Sequence, residues 1–373
     1  MGMNLLAFFF FEALVIYLAI LVMLAVFWRK SKGKTSEKIN VFDYPVTLLV
    51  PFRNEKSQLP KLLESLEKLT YPSLQVILID DSSEDGGAEY VDSWIKGKSY
   101  SHFLMVQSQA QGKKGAIEQG VVLSNGYIIL TTDADCVLPS DWVENMLQPF
   151  NDPKVQMVAG PVMSEGRKSN FNQFQQIEWS SILLMTNFFF QINKPIMCSA
   201  ANMGYRKEAF QHLGGYQGNR EQSSGDDSFL LEKVVRAFGY HAIHYFTDEK
   251  VLVKTKAEKN WSLFIAQRAR WVSKWNKHQS MENAFGAVVT AGFSLASLLS
   301  PLLLLGSGLM PLLFLLYWVL KLGVEYVVMN KVLEGYEIKA PFLSFIYASF
   351  CHPCFVIVVA LSSFFGKFKW KGR

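Results

Sequence analysis

The sequence predicts an α/β domain built on a mostly parallel sheet and flanked by membrane-spanning helices. Short apolar runs alternate with stretches of helical periodicity through the first half of the middle region. The longest apolar runs collect at the two ends of a 373-residue chain that is 50% hydrophobic. Acidic residues, Asp80, Asp81, Asp133 and Asp135, close two of the short apolar runs.

At the amino end, Met3–Phe27 is almost uninterrupted apolar sequence with Glu12 as its only acid. About 20 such residues suffice to cross a bilayer core. Arg29, Lys30, Lys32, Lys34 and Lys38 follow this run instead of preceding it, and no small-residue cleavage pattern closes it. An uncleaved anchor over residues 1–30 and a basic cytoplasmic linker over 31–44 are expected.

In the middle, "VTLLVPF" (46–52), "LQVILID" (74–80), "HFLMVQ" (102–107) and "GYIILTT" (126–132) read as strands. "SQLPKLLESLEKL" (57–69) sets Leu59, Leu62, Leu63, Leu66 and Leu69 at helical spacing, with Ser57 as its N-cap. "GKKGAIEQGVVLS" (112–124) is a second helix. Such alternation implies a parallel sheet with helices on its faces, and ligands bind beyond the carboxyl ends of its strands. All four acids sit at such ends, so they would share one rim. Asp133 and Asp135 are two apart, which in extended backbone turns both carboxylates to one side. A cation between them would relieve their repulsion; taken alone, the pair reads equally as a solvated turn.

Further on, "NWSLFIAQRARWVSKWNK" (260–277) reads as a helix on the membrane surface, with Trp261 and Trp275 as interface anchors. Ala284–Leu305, Pro311–Met329 and Phe342–Phe365 are three further candidate spans. Three spans starting from the cytoplasm would leave the tail outside, yet Lys367, Lys369, Lys371 and Arg373 favour the inside. A re-entrant segment around Pro353, or an interfacial helix among the three, would reconcile the two. The net charge of +5 sits largely beside the membrane segments, which suits lipid headgroups and not nucleic acid. Cys136 and Cys198 are isolated and expected as small buried residues. "CHPC" (351–354) lacks the second ligand pair of a metal site.

Several motifs then line up in order. "VTLLVPFRNEKSQLPKLLESL", "VILIDDSSEDG", "QGKKGAIEQG", "TTDAD", "CSAANMGYRKEAFQHLGGY", "SSGDDSFLLEKV" and "QRARW" together resemble the family 2 glycosyltransferases over roughly residues 45–280. The resemblance implies a GT-A catalytic domain over 45–258, an interfacial helix with the Q-x-x-R-W motif over 259–282, about three carboxyl-terminal spans over 283–366 and a basic tail over 367–373. Within the family, Q-x-x-R-W occurs in membrane enzymes, both processive polysaccharide synthases and ceramide-glucosyltransferase-like lipid glycosyltransferases.

The resemblance implies an inverting, metal-dependent transfer from a nucleotide sugar, expected as a UDP-sugar. Mg²⁺ or Mn²⁺ would be held by Asp135 and Asp133, with phosphate oxygens and water completing its oxygen ligands. Asp81, Asp80, Lys113, Asp133, Arg270 and Glu55 fall on the donor side. The adjacent Lys114 is expected as a solvated charge. Asp227 is the base that takes the proton of the acceptor hydroxyl. Trp271, Gln267, Asn202 and Asp226 fall on the acceptor side, although capping its helix is the role expected first of Asp226. About four spans, fewer than in the better-known processive synthases, and the closing "FKWKGR", similar to the ends of lipid-directed members, favour a lipid or lipid-linked acceptor. Polymer synthesis is the alternative, and an inactive membrane scaffold a remote third. The expected setting is the inner membrane of a bacterium with the catalytic domain in the cytoplasm. Membrane lipids, a glycan or lipid acceptor and an accessory membrane subunit are the expected partners.

Overall fold

The computed structural model describes residues 2–32, 44–98, 101–220, 225–275 and 281–365. Lys34, Lys38, Ser223, Ser224 and the tail residues Lys367, Lys369, Lys371 and Arg373 lie outside the described residues. The first half runs α1 (Gly2–Lys32), β1 (Val46–Phe52), α2 (Leu59–Glu67), β2 (Leu74–Asp80), α3 (Gly87–Lys98), β3 (Phe103–Gln107), α4 (Gly112–Leu123), β4 (Ile128–Thr131), β5 (Cys136–Val137), α5 (Trp142–Leu147), β6 (Met157–Ala159) and β7 (Val162–Glu165). It continues with α6 (Asn170–Gln191), β8 (Met203–Arg206), α7 (Lys207–His212), α8 (Asp226–Phe238), β9 (Ile243–Tyr245), β10 (Val253–Lys256), α9 (Trp261–Trp275), α10 (Met281–Leu299), α11 (Met310–Glu334) and α12 (Phe342–Phe365).

The chain divides into two compact units. One gathers the described parts of Ser31–Met163 and Phe189–Lys256. It holds a seven-stranded sheet in the order β3-β2-β1-β4-β8-β6-β9. The four expected strands are all present, and β1 pairs in parallel with β2 and β4, and β2 with β3. Beyond β4 the sheet turns mixed: β8 is antiparallel to both β4 and β6. All seven residues of β1 are buried, as a strand covered on both faces requires. Gly120 lets α4 lie close on this sheet, since a Cβ there would meet Ile79 Cδ1 at 2.6 Å and Leu49 Cδ2 at 2.8 Å.

Two local expectations need correction. Ser57 is not an N-cap: α2 starts at Leu59 behind Gln58, after a turn closed by Gln58 N–H donating to the Glu55 carbonyl at 2.8 Å. Pro60 in the first helical turn explains the late start, because its fixed φ suits that position and its missing N–H costs nothing there. Helix α3 has no counterpart in the sequence reading, because only Gly87 and Val91 of its residues are buried and so no apolar stripe announces it.

The other unit gathers the described parts of Met1–Lys30, Ser164–Phe188 and Ala257–Phe368. Four of its segments are long and apolar enough to cross a membrane: Ala7–Trp28, Gly286–Leu305, Met310–Glu334 and Phe342–Ser363. On α1 a stripe of Phe10, Leu14, Leu21, Leu24 and Trp28 is buried, while Phe8, Phe9, Phe11, Val15 and Ile16 are exposed. An apolar helix with an outward apolar face matches lipid surroundings. Helix α12 continues through Pro353, so this segment is a single rod and not re-entrant there. Phe174 of α6 is packed among Trp261 and Phe264 of α9 and Phe355 of α12. Trp261 thus belongs to a packed aromatic cluster and is half-buried, and the side chain of Trp275 lies outside the described residues.

Charge is buried in this unit too. Lys321 Nζ lies 2.7 Å from Glu325 Oε1, and Ser349 Oγ accepts from Lys321 at 2.9 Å and donates to Glu325 Oε2 at 2.6 Å. Tyr17 OH donates to Glu325 Oε1 at 2.5 Å, so the cluster joins α1, α11 and α12. Ionised groups among apolar helices persist when paired and hydrogen-bonded in this way.

Candidate active site

The site is built at the carboxyl ends of β1, β2 and β4 and the amino ends of α4 and α8. Asp80 and Asp81 end β2, and both are 1% exposed. Asp80 accepts the Ser83 N–H on both carboxylate oxygens, at 3.0 and 3.3 Å, so it pins its own loop. Asp81 faces the helix: its Oδ1 accepts the Gly112 N–H at 3.0 Å. Its Oδ2 is buried with no hydrogen-bond partner among the described residues. Such an orphaned acceptor costs free energy until a ligand donor meets it. Arg53, also buried, donates to the Asp81 carbonyl at 3.1 Å. Asn54 ties the two loops by accepting the Glu84 N–H at 2.8 Å and donating its own N–H to Ser83 Oγ at 3.0 Å. Glu55 sits in the turn that opens α2, where its carbonyl receives Gln58 and Leu59.

The pair Asp133 and Asp135 is not in extended backbone. Strand β4 stops at Thr131, and the Cys136 N–H donates to the Asp133 carbonyl at 3.1 Å, closing a turn. The expected shared face of a strand is therefore replaced by two turn positions with separate neighbours. Asp133 Oδ1 lies 2.6 Å from Lys113 Nζ, whereas Asp135 Oδ2 accepts from Thr255 Oγ1 of β10 at 3.3 Å. The base of the turn is fixed by Thr131 and Thr132, whose hydroxyls donate to the carbonyls of Ala200 and Ala201 at 2.7 and 2.9 Å. Burial, then the Asp135 and Asp133 charges, push the Cys136 thiol well above its usual range.

Lys113, in the first turn of α4, reaches a second carboxylate, Asp226 Oδ2, at 3.2 Å. Burial alone would lower its pKa, but the charges of Asp133, Asp226 and Asp227 outweigh burial and raise it. Lys114 is not the solvated charge expected. It is buried and donates to the Asn219 carbonyl at 2.7 Å, which ties α4 to the loop before α8.

Gly225 is the N-cap residue of α8, at φ 84°, and no side chain caps the helix. Asp226 therefore does not cap; its buried carboxylate is paired with Lys113. Asp227 is half-buried, and its Oδ1 accepts the N–H and Oγ–H of Ser228 at 2.7 and 3.1 Å. Behind these acids, the phenol oxygens of Tyr205 and Tyr216 are buried with no hydrogen-bond partner among the described residues. Asn202, expected on the acceptor side, is a core residue. It is fully buried, its Nδ2 donates to the Pro161 and Val251 carbonyls at 2.8 and 2.7 Å, and its Oδ1 accepts Trp142 Nε1–H at 3.0 Å.

The remaining predicted residues lie on α9, in the helical unit. Gln267 Nε2 donates to Glu258 Oε1 at 2.9 Å. Arg268, to which the sequence reading gave no role, grips Glu178 of α6 with both ends of its guanidinium, at 2.7 and 2.6 Å. Its guanidinium carbon stands 4.2 Å from the Trp271 ring centroid and 5.0 Å from that of Trp179. Trp271 packs edge-on against Trp179. Arg270 is half-buried on α9 and its carbonyl accepts from Ser273 Oγ at 2.9 Å.

Among the described residues, no group of three or more His, Cys, Asp or Glu side chains forms a cage for a metal. Asp133 and Asp135 offer the sparse oxygen set of a cation whose other ligands come from phosphate and water.

Residues 47–214 match the family model for glycosyl transferase family 2. The poly-beta-1,6-N-acetyl-D-glucosamine synthase of Staphylococcus aureus (strain COL) is 29% identical over 140 residues, 37% of this chain and 33% of that protein. The synthase of the same name from Staphylococcus epidermidis is 27% identical over 139 residues, with the same coverage of 37% and 33%. The chain thus matches about a third of the length of these curated relatives. A mannosyltransferase from Pyrobaculum calidifontis, solved in complex with GDP-Man and Mn²⁺, superposes with a TM-score of 0.56 at 16% identity, covering 98% of both chains. That likeness is one of fold.

Proposed function

Residues 47–214 are a family 2 glycosyltransferase domain on a GT-A sheet, and from that premise we propose that the protein moves a sugar from a nucleotide-sugar donor to a lipid or lipid-linked acceptor at the cytoplasmic face of a membrane. The observation that carries the donor half is the rim itself. An unmet buried acceptor on Asp81, the Lys113 ammonium and the Asp133–Asp135 turn lie along one strand-end edge. In this reading Asp81 takes a donor N–H or hydroxyl of the nucleotide, and Lys113 faces the diphosphate at a helix amino end. A divalent cation, Mg²⁺ or Mn²⁺, bound at Asp135 and Asp133 would neutralise the charge that develops on the leaving diphosphate. Asp227 removes the proton of the acceptor hydroxyl as it attacks the anomeric carbon from the side opposite the nucleotide, which inverts the centre. Arg270, Gln267 and Trp271 would serve the diphosphate and the acceptor, as the family resemblance implies.

Among the described residues, four segments long and apolar enough to cross a membrane suit an acceptor that is itself membrane-borne. A second reading, synthesis of an N-acetylglucosamine polymer, draws on the activity for which the staphylococcal relatives are named. Incubating membranes that carry the protein with labelled UDP-N-acetylglucosamine, UDP-glucose and GDP-mannose separates the two. Label of fixed size in the organic phase is the expected result, and a high-molecular-weight ladder would replace it with the polymer reading.

A further inference from the structure

Lys113 lies between two carboxylates, Asp133 at 2.6 Å and Asp226 at 3.2 Å. These two carboxylates come from opposite sides of the site, one from the turn after β4 and one from the start of α8. A lysine whose charge is balanced by two carboxylates attracts a diphosphate less strongly, and more strongly once that pairing loosens. We propose that Asp226 is a positioning residue that parks the Lys113 ammonium beside the donor site and releases it to the diphosphate when the donor binds. The inference rests on the donor reading given above.

The order of events follows from the charges. Asp133 and Asp135 would hold a divalent cation, which would take the closer partner from Lys113 and repel its ammonium. Asp226 is then the remaining anchor, and its hold sets how readily the lysine turns to the phosphates. Asp226 does not lose its last neighbours in doing so. The phenol oxygens of Tyr205 and Tyr216 are buried with no hydrogen-bond partner among the described residues, and the Asp226 charge contributes to raising the pKa of each, behind the larger effect of burial. A phenol O–H is a donor that a carboxylate freed of its lysine can use. Asp226 also immediately precedes Asp227 at the start of α8, so donor occupancy is coupled to the position of the base.

The test is binding, measured by calorimetry on the full chain in detergent with MnCl₂ alone and with UDP or GDP at saturating Mn²⁺. Asp226→Asn is expected to tighten nucleoside-diphosphate binding about tenfold, one closely placed charge partner being worth about one pKa unit. Lys113→Met is expected to weaken that binding about tenfold, and yet to tighten Mn²⁺ alone, because Asp133 loses a competing cation. In the double variant the gain from Asp226→Asn disappears. The same gain with and without Lys113 would mean a bulk charge effect and overturn the proposal. So would weaker or unchanged Mn²⁺ binding in Lys113→Met, a result that stands even where Asp226→Asn fails to fold. Absence of UDP and GDP binding to the unaltered protein would fail the donor reading first, and this inference with it.

Discussion

Replacing Arg268 by lysine separates charge from shape at the Q-x-x-R-W motif. The guanidinium spans both oxygens of Glu178 at 2.7 and 2.6 Å, with side-chain exposures of only 5% and 8%. Its carbon also lies 4.5 Å from the Phe264 ring and 4.2 Å from that of Trp271. A lysine retains the charge but cannot make two parallel bonds or lie flat between rings. A hydrogen bond to a charged group contributes about 1.5–3 kcal/mol, so Arg268→Lys is expected to lose roughly that much. Arg268→Leu leaves Glu178 buried and unpaired, at a cost of about 3–5 kcal/mol. Removing both charges in Arg268→Leu/Glu178→Leu is expected to restore stability to within about 1–2 kcal/mol. For a unit of 150–250 residues each kcal/mol moves Tm by about 2–4 °C, so thermal unfolding in detergent followed by circular dichroism resolves all three variants. A double variant no more stable than Arg268→Leu would refute the argument, because the two side chains would then act independently.

Asp227→Asn is expected to lower transfer by about 10²–10⁴-fold, the usual contribution of a general base, while UDP binding in Mn²⁺ stays within about twofold. Lost nucleotide binding in that variant, read by the same calorimetry, would move Asp227 to the donor side. In the helical unit, Glu325→Gln leaves the Lys321 ammonium without its 2.7 Å partner and is expected to cost about 3–5 kcal/mol, seen as a lower melting temperature. Lys321→Met/Glu325→Gln should recover most of that loss, and a melt as low as that of the single variant would show that the cluster does not act as a pair.

The strands β1 to β4 were legible because each is a short apolar run between turn residues, and a parallel order follows once helices intervene. The position of the acids followed from that order. What did not follow was how each acid is held. The i, i+2 spacing of Asp133 and Asp135 suggested one shared face, but β4 ends at Thr131 and a turn gives the two carboxylates different partners. Turn geometry depends on the hydroxyl anchors of Thr131 and Thr132 to carbonyls some seventy residues away, and no local pattern reports those.

Helical phase, more than residue type, decides which charged side chains are buried. Lys114 falls in the same helical stripe as Ile117 and Val121, three and seven residues on, and that stripe is the buried one. Arg268 likewise lies between Phe264 and Trp271, four residues after the first and three before the second, which puts it on the packed side of α9 and Arg270 on a different one. Helical phase therefore already distinguished the two arginines of "QRARW". It also separates two roles within the motif: Arg268 fixes α9 against α6 through Glu178, while the family resemblance gives the diphosphate to Arg270. On that account Arg268→Lys should lower stability more than it changes the affinity for nucleoside diphosphate, whereas Arg270→Lys should do the reverse.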